Sequence, residues 1–405
     1  MSPFDVAEAA AHRLFGAPAW RFFVPGRIEV FGKHTDYAGG RSLVAATPRG
    51  FAVTASPADE RVIVVDANSD EVCEVEPSGH GELPDGWRRY VAATIVRLRK
   101  NFPAAQLSTR IAFASDLPPA AGLSSSSALV IAIAESLIAR SGIERSERWL
   151  SSIRTPEDRV TYFSCIENGA SFERLDGDSG VGTAGGSEDH AAILLSAAGE
   201  LRQFSFQPLC LERVIRMPEG WTLVVASSGV SARKSVEARD DYNRLATAAR
   251  ALESVWRARH SGDPRTLGEL ARAGELAHLD VPPHLRARLE QFIAEDARVA
   301  AAADALARGD VETVGRLAEQ SQHDAEQHLG NQVPETIALT ALARSNGAAA
   351  ASAFGAGWGG SVWALVPSSG AADWLAAWLE SYRSRYPHHP SSGFVSPPAG
   401  GVARR

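Results

Sequence analysis

The sequence predicts an α+β protein built as two lobes, and three observations support this prediction. The first half alternates short β-rich runs with helical patterns, which is typical of a mixed sheet backed by helices. From about residue 240 to residue 345 the pattern becomes helical with few breaks. Strand signals then return near residue 350. We therefore expect an N-terminal mixed-sheet lobe over residues 1–200 and a helix-rich α+β lobe over residues 201–405.

The individual elements follow from local patterns. In the first half, "RVIVVDA" and "RIAFASDL" predict strands, whereas "YVAATIVRLRKNF" and "SALVIAIAESLIARSG" have helical periodicity. In the second half, helices are predicted at "NRLATAARALESVWRARH", "RARLEQFIAEDARVAAAADALAR" and "VETVGRLAEQSQHDAEQHL", and strands at "AAAASAF" and "SVWALVP". The stretch "FERLDGDSGVGTAGGS" predicts a loop, and the Pro/Gly/Ser-rich tail "YPHHPSSGFVSPPAGGVARR" predicts a surface segment.

Composition narrows the class of protein. With 405 residues and 45% hydrophobic content, the chain can bury the core of a soluble enzyme. A net charge of −7 argues against a nucleic-acid partner. The three cysteines are odd in number and widely spaced, so neither a disulfide framework nor a zinc site is indicated. Without a membrane-length apolar run or a signal sequence, we expect a cytoplasmic monomer that acts on a small molecule.

The stretch "GRIEVFGKHTDYAGG", Gly26 to Gly40, contains a Gly-Lys pair that could be taken for a phosphate loop. The Walker A motif requires four residues between its first glycine and that pair, followed by Ser or Thr. Here five residues separate Gly26 from Gly32, and His34 follows Lys33. The alternating "RIEVF" instead predicts a strand that runs into a turn. Any nucleotide site is therefore expected elsewhere.

A stronger phosphate signal is "LPPAAGLSSSSALVIAIAESL", residues 117–137, where Gly122 and four serines precede an apolar helix. Backbone N–H groups, hydroxyls and the positive helix end converge there, as phosphate binding requires. A plain helix cap is the alternative for a short Gly-Leu-Ser-Ser run, but four consecutive serines exceed what capping needs.

Two further glycine-rich stretches carry candidate residues. "VGTAGGSEDHAAIL" presents Glu188, Asp189 and His190 before an apolar run, where an acid can accept a proton from a substrate hydroxyl or simply favour a helix dipole. "SAFGAGWGGSVWALV", residues 352–366, suggests a dinucleotide fingerprint, but its glycines lead into a strand instead of a helix. These glycines are better explained by a close approach of backbone to a ligand or another loop.

In this order along the chain, "PGRIEVFGKHTDYAGG", "LPPAAGLSSSSAL" and "FGAGWGGS" resemble the three motifs of the GHMP kinases. The His-Thr-Asp-Tyr run is most similar to the galactokinase branch, and the similarity spans about residues 24–367. The resemblance implies a two-lobed α+β fold that binds MgATP and phosphorylates a sugar at its anomeric hydroxyl. ATP and Mg²⁺ are thus the expected cofactors, and a sugar is the expected substrate.

The resemblance also implies roles for individual residues. Asp189 matches the catalytic aspartate, and Arg27 matches the arginine that pairs with it. The positions that contact the sugar correspond to Lys33, His34, Asp36, Gly186 and Tyr242. The positions that hold ATP correspond to Pro118, Gly122, Leu123, Ser124, Ser125 and Ser126. For Mg²⁺, the matching positions are Ser126 and Glu167.

Lys33 departs from the family pattern, which has a glutamate there that accepts hydrogen bonds from the sugar's outer hydroxyls. An ammonium can only donate hydrogen bonds. One hypothesis is that the substrate offers a negative charge at this point, as the C6 carboxylate of a uronic acid would. The alternative is that Lys33 pairs with Glu29 or Glu188, which are also departures. Ala120 replaces a loop glycine, which is tolerable if this position has a φ below zero.

An ATP-dependent, galactokinase-like sugar 1-kinase is the leading functional prediction. The alternative is a sugar- and ATP-binding regulator with little turnover, which Lys33 and Ala120 keep open although Asp189 and Arg27 are present. A kinase for a non-sugar alcohol agrees less well with "HTDY", which supplies hydrogen-bonding partners for a sugar.

Overall fold

A computed structural model describes residues 1–78, 83–231 and 236–405 and contains two β-sheets with helices packed on them. The strands are β1 (Trp20–Phe31), β2 (Arg41–Pro57), β3 (Val62–Asp66), β4 (Glu71–Val75), β5 (Thr109–Ser115), β6 (Glu200–Ser205), β7 (Cys210–Arg216), β8 (Trp221–Ser227), β9 (Ala350–Ala353), β10 (Ser361–Pro367), β11 (Ser392–Val395) and β12 (Ala403–Arg404). The predicted α+β class is confirmed.

The helices include every long helical segment that the sequence predicts. They are α1 (Pro3–Leu14), α2 (Arg88–Asn101), α3 (Ser125–Ser141), α4 (Glu147–Ser152), α5 (Pro156–Asn168), α6 (Glu188–Leu195), α7 (Val236–Arg259), α8 (Leu267–Arg272), α9 (Pro283–Ala307), α10 (Val311–Asp324), α11 (Pro334–Ser345) and α12 (Ala371–Arg385). No helix in the described ranges combines the length and apolar character that crossing a membrane requires.

The larger sheet is mixed, as predicted. Its strand order is β12-β1-β2-β5-β3-β4, and β6 and β7 extend it from β2. The first residues of β2 pair with β6, in the register Arg41↔Ser205, and its last residues pair with β5, in the register Phe51↔Ser115. Only β3 and β5 run parallel among these pairs of the described chain. The length of β2 thus joins two groups of strands into one sheet.

The second sheet, in the order β11-β8-β10-β9, is antiparallel and buried on both faces. Along β10, Val362 and Ala364 pack with Trp378 of α12, whereas Trp363 and Leu365 belong to the main core that also contains α3. This alternation is the two-residue period of a strand. The two lobes therefore share one hydrophobic core.

The boundary between the lobes and the C-terminal tail differ from the simplest interpretation of the sequence. The division at residue 200 stays a prediction, but β6 and β7, which follow residue 199, still extend the first sheet, and the second sheet begins at Trp221. The prediction of a surface tail was wrong in part, because β11 pairs with β8, β12 pairs with β1, and Phe394 is buried. Strands of two to four residues are too short to show a period in sequence.

Two connections bring chemistry-bearing segments together. β1 leads into a turn over residues 32–40, called the β1 turn below, and β5 leads through residues 116–124, called the α3 loop, into α3. The helix α3 packs on β1, β2 and β5, and the Arg27 N–H donates to the Leu123 carbonyl at 3.2 Å. The start of α3 is therefore fixed beside β1.

Candidate active site

A cavity of about 850 Å³ opens between the β1 turn, the α3 loop, the start of α6 and the glycine-rich segment after β9. Each of these four segments contains a motif that the sequence singles out. The cavity therefore brings together stretches that lie more than 300 residues apart in the chain, from Arg27 to Gly355 and beyond.

The α3 loop forms one wall. Gly122 has a φ of +74°, and a Cβ there would lie 3.3 Å from the Phe354 carbonyl oxygen, so both the backbone and the packing favour glycine. Ser124, with a φ of +57°, precedes the first turn of α3, whose N–H groups have no intrahelical partner. Ser124, Ser125 and Ser126 all line the cavity. This arrangement suits an anion bound at a helix N-terminus.

Two residues of this loop differ from expectation. Leu123 lies with its side chain in the core and does not line the cavity, whereas Pro118 does line it. Ala120 has a φ of +49°, so the condition under which an alanine is readily tolerated there is not met. A left-handed alanine costs about 1–2 kcal/mol relative to an unstrained residue. The loop thus contains local strain that a glycine would not have.

Arg27 of β1 and Asp189 of α6 form an ion pair with an Nη2–Oδ1 distance of 2.7 Å. The Nη1 group of Arg27 also donates to the carbonyl oxygen of Gly122 at 2.6 Å. Burial lowers the pKa of Arg27, but the carboxylates of Asp189, Glu188 and Glu29 raise it above its ordinary value. The guanidinium therefore stays charged and is fixed between the α3 loop and Asp189.

The predicted metal ligands lie in the same wall. Ser126 and Glu167 both line the cavity, and Oε1 of Glu167 is buried without a hydrogen-bond partner among the described residues. The hydroxyl of Ser127, which the sequence did not single out, donates to Glu167 Oε2 at 2.8 Å and lies 3.3 Å from Asp189 Oδ2. Oxygen ligands of this kind suit Mg²⁺, which takes few protein ligands together with phosphate oxygens and waters.

Four of the predicted sugar-contacting residues meet at the opposite end of the cavity. His34, Asp36, Gly186 and Tyr242 line it, and the rings of His34 and Tyr242 lie 5.5 Å apart between centroids. A Cβ on Gly186 would lie 2.2 Å from Asp36 Oδ2, so only glycine fits beside this carboxylate. Asp36 Oδ2 also accepts a hydrogen bond from the Glu188 N–H at 3.2 Å. The β1 turn and the start of α6 are thus in direct contact.

This end of the cavity is rich in buried carboxyl groups. Burial, together with neighbouring carboxylates, raises the pKa of Glu29 to about 7, that of Asp36 to about 6, and that of Glu188 well above its usual range. Burial and the charge of Arg288 lower the pKa of His34 to about 3, so its imidazole is neutral at physiological pH. Among the residues predicted to contact the sugar, His34 therefore presents an uncharged imidazole ring to the cavity.

Lys33 does not line the cavity, which corrects the prediction that it contacts the substrate. Its side chain is 1% exposed, and Nζ donates to Ser321 Oγ at 2.7 Å and to Ser352 Oγ at 2.9 Å. The suggested ion pairs do not form either. Glu29 accepts from the Gly355 N–H at 2.8 Å, and Glu188 accepts from Ser42 Oγ at 2.5 Å. The side chain of Lys33 points toward Ser321 and Ser352, which lie about 300 residues away in the chain. A local sequence motif therefore cannot reveal its direction.

The sequence also missed an aromatic part of the cavity. Phe51, Trp87 and Phe113 line it on the side of β2, β5 and α2, with Phe113 centroids 5.5 Å from Phe51 and 5.4 Å from Trp87. The sequence analysis also did not identify Asn331, which contacts the cavity-lining ring of His34: its Nδ2 lies 3.1 Å from His34 Nε2. These residues come from separate segments without a common pattern, so no sequence signal pointed to them.

Three family models match parts of this chain. They are the GHMP kinases N terminal domain at residues 89–153, the GHMP kinases C terminal model at residues 302–383, and the galactokinase galactose-binding signature at residues 12–57. Similar proteins include the galactokinase of Chloroflexus aggregans, 28% identical over 95% of this chain and 94% of the relative. The galactokinase of Glaesserella parasuis serovar 5 is 26% identical over 91% of each chain.

Solved structures resemble the fold over nearly the whole length. The galactokinase of Lactococcus lactis complexed with galactose has a TM-score of 0.81 at 21% identity, covering 98% of this chain and 99% of that chain. The mevalonate kinase of Methanococcus jannaschii has a TM-score of 0.59 at 12% identity, covering 95% and 100%. The chain therefore shares its fold with these solved structures over nearly its whole length.

The chain is thus similar to the GHMP kinases in both an N-terminal and a C-terminal segment. Within this similarity, the galactose-binding signature and the full-length relatives indicate a galactokinase-like sugar 1-kinase.

Proposed function

We propose that the protein transfers the γ-phosphoryl group of MgATP to the anomeric hydroxyl of a neutral, galactose-type hexose. The observation that carries this proposal is the Arg27–Asp189 ion pair, which lies between the α3 loop and the β1 turn in a single cavity. Phosphoryl transfer depends mainly on positioning and on stabilisation of charge. A cavity with an anion site at one end and sugar-type partners at the other meets both needs.

The nucleotide would occupy the side of the α3 loop. The N-terminus of α3 and the serines Ser124, Ser125 and Ser126 would hold the phosphates. The faces of Phe51, Trp87 and Phe113 supply an apolar surface against which a base can stack. When bound, Mg²⁺ would neutralise phosphate charge, and Ser126 and Glu167 would hold it.

The two central side chains would act on the sugar. Asp189 accepts a hydrogen bond from the anomeric hydroxyl and takes its proton as the anomeric oxygen bonds to the γ-phosphorus and the bond from that phosphorus to the leaving ADP breaks. Arg27 keeps this carboxylate oriented through the 2.7 Å ion pair and is itself anchored on the Gly122 carbonyl. Because Arg27 is buried, its charge acts with little solvent screening.

The chemistry of the sugar end favours a neutral substrate. Glu29, Asp36 and Glu188 line the cavity there and supply carboxyl groups instead of a cation, so the C6 carboxylate of a uronic acid would lose its hydration without gaining an ion pair with them. The hypothesis of an acidic sugar depended on the ammonium of Lys33, but this ammonium lies outside the cavity lining and donates hydrogen bonds to Ser321 and Ser352. The galactose-binding signature over residues 12–57 and the galactokinase relatives support galactose itself as the first candidate.

The test is MgATP consumption by the purified protein with galactose, glucose, N-acetylgalactosamine, arabinose, fucose, galacturonate and glucuronate. We expect turnover with galactose or a neutral relative, and a fall in kcat of about 10²- to 10⁴-fold in Asp189→Asn because the proton acceptor is lost. Asp59→Asn, at an exposed position, serves as the control and should leave kcat unchanged. Calorimetric binding of sugar and ATP without turnover would instead support the regulator, and turnover with uronic acids alone would contradict the neutral-sugar proposal.

A further inference from the structure

The backbone of the β1 turn is held by one face of α9. Glu295 accepts hydrogen bonds from the N–H groups of Gly32 at 2.9 Å and Lys33 at 3.3 Å. Gln291 donates to the Lys33 carbonyl at 3.0 Å, and Arg288 donates to the His34 carbonyl at 2.5 Å.

These three α9 side chains are spaced at i, i+3 and i+7, so they fall on one face of the helix. Arg288, Gln291 and Glu295 are at most 3% exposed. The face of α9 that meets the β1 turn is therefore polar, buried and complementary to the turn's backbone.

The side chain of Lys33 closes this contact into a ring. Its Nζ donates to Ser321 Oγ of α10 at 2.7 Å, and Ser321 in turn donates to Glu295 Oε1 at 2.9 Å, the same oxygen that accepts from the Lys33 N–H. A second arm runs from Nζ to Ser352 of β9 at 2.9 Å. Lys33 thus ties the β1 turn to three elements of the second lobe.

The charges of the ring compensate one another. Burial lowers the pKa of Lys33, while Glu295 is the neighbouring charge that most favours its ammonium form. Burial raises the pKa of Glu295, but Lys33 and Arg298 lower it below its ordinary value. Removing one member of a buried ion set leaves a charge without its partner, so the members of this ring depend on one another.

The residue next to Lys33 needs such support. His34 has a φ of +59°, which a histidine adopts only when its surroundings hold it there. The ring of His34 lines the cavity, and Asp36 follows it in the same turn. The position of both side chains therefore depends on how firmly the turn is held.

We propose that Lys33 is a positioning residue that locks the β1 turn to α9, α10 and β9, so that contacts of the second lobe set the affinity for the sugar. The proposal rests on the proposed function, since it concerns the same sugar end of the cavity. Lys33 acts through the backbone of the turn and does not touch the substrate.

The test compares Lys33→Met with the wild type by steady-state kinetics. Methionine keeps the length of the side chain but loses the ammonium, while Glu295 retains Arg298 at 3.0 Å. We expect the sugar KM to rise about tenfold, with the ATP KM and kcat within about twofold, because a loosened turn weakens sugar binding but leaves the α3 loop in place. Ser352→Ala removes the second arm together with the bond from Ser352 Oγ to Gln322 Oε1 at 3.2 Å, and it should give a smaller rise in the sugar KM.

Lys100→Met is the matched control, because Lys100 is exposed and donates only to the Gly177 carbonyl among the described residues. A lower unfolding temperature of Lys33→Met with an unchanged sugar KM would mean that Lys33 is merely structural. Equal rises in the KM of sugar and ATP would mean general loosening, and either result overturns the proposal.

Amide hydrogen exchange separates this proposal from the proposed function. The N–H groups of Gly32 and Lys33 should exchange faster in Lys33→Met than in Lys100→Met, whether or not any sugar is turned over. Failure of the wild type on every sugar would overturn the proposed function alone, whereas unchanged exchange at these two amides would overturn the lock.

Discussion

The α3 loop and the β1 turn are two walls of one cavity, but they are held in different ways. The α3 loop takes its shape mainly from its own backbone, with left-handed Gly122 and Ser124 leading directly into a helix, and its carbonyl groups accept hydrogen bonds from Arg27 of β1. The backbone of the β1 turn is held by α9 side chains that lie 254 to 263 residues away in the sequence. The first wall is local in origin, and the second is made by tertiary packing.

This difference has a functional consequence. Changes within the α3 loop should alter nucleotide binding through the shape of that loop alone. Changes at the β1 turn should reach the sugar end through the contact between the lobes, because α9, α10 and β9 all belong to the second half of the chain. A single residue, Lys33, offers the sharpest way to separate the two behaviours.

The largest expected effect is that of Lys33→Glu. The new carboxylate would lie buried beside Glu295, with Ser321 and Ser352 as its polar neighbours. Breaking a buried ion set in this way costs about 3–5 kcal/mol, and we expect the free energy of unfolding to fall by that amount. Chemical denaturation followed by tryptophan fluorescence measures it.

Lys100→Glu provides the control for the charge change at an exposed site and should alter the stability little. If Lys33→Glu were as stable as the wild type and bound the sugar more tightly, position 33 would face the substrate after all. The contrast between the two walls would then lose its main support.

A smaller effect is expected from Glu29→Gln, at a position that joins β1 to the glycine-rich segment through the Gly355 N–H. Burial raises the folded-state pKa of Glu29 from 4.5 to about 7, so the folded state binds a proton that the unfolded state has lost. Stability therefore falls as the pH rises from about 4.5 to about 7, by about 3 kcal/mol in total for this group. Glutamine keeps an oxygen that can accept from the Gly355 N–H, but it does not titrate, so the fall in stability with rising pH that Glu29 causes should disappear.

The measurement is the unfolding midpoint at pH 5 and at pH 8. We expect the difference between the two pH values to be smaller in Glu29→Gln than in the wild type, with the variant more stable at pH 8. Asp36 and Glu188 also have raised pKa values, so some pH dependence should remain. A variant with the full pH dependence of the wild type would show that Glu29 is not the titrating group. Glu74→Gln controls for the loss of a carboxylate, because the Glu74 side chain on β4 is exposed.

The same contrast explains what the sequence could predict. The α3 loop was found because its glycine, its serines and its apolar helix are adjacent in the chain, and their chemistry is local. The fold class and the main helices and strands followed from periodicity for the same reason. The contact between Arg27 and Asp189, at 2.7 Å, was predicted only through the family resemblance, because the two residues lie 162 positions apart in the chain.

Other features could not be predicted because they depend on tertiary packing. The side chain of Lys33 turns away from the cavity since Ser321 and Ser352 accept its hydrogen bonds, and the sequence around Lys33 indicates neither serine as a partner. The aromatic wall of Phe51 and Phe113 forms only when β2 and β5 pair. The φ of Ala120, +49°, does not follow from the sequence either, because residues other than glycine normally avoid that region.

The smallest expected effect is that of Ala120→Gly, which tests the local character of the α3 loop. Relief of left-handed strain gains about 1–2 kcal/mol, and the greater freedom of glycine in the unfolded chain costs about 0.4–1 kcal/mol. We therefore expect a net gain in stability of about 0.5–1 kcal/mol, measured by chemical denaturation. The adjacent Ala121, which is 2% exposed and not left-handed, supplies the control, and Ala121→Gly should be destabilising. Because the strain lies in the α3 loop alone, Ala120→Gly should leave the sugar KM unchanged; a changed sugar KM would mean that the two walls are coupled.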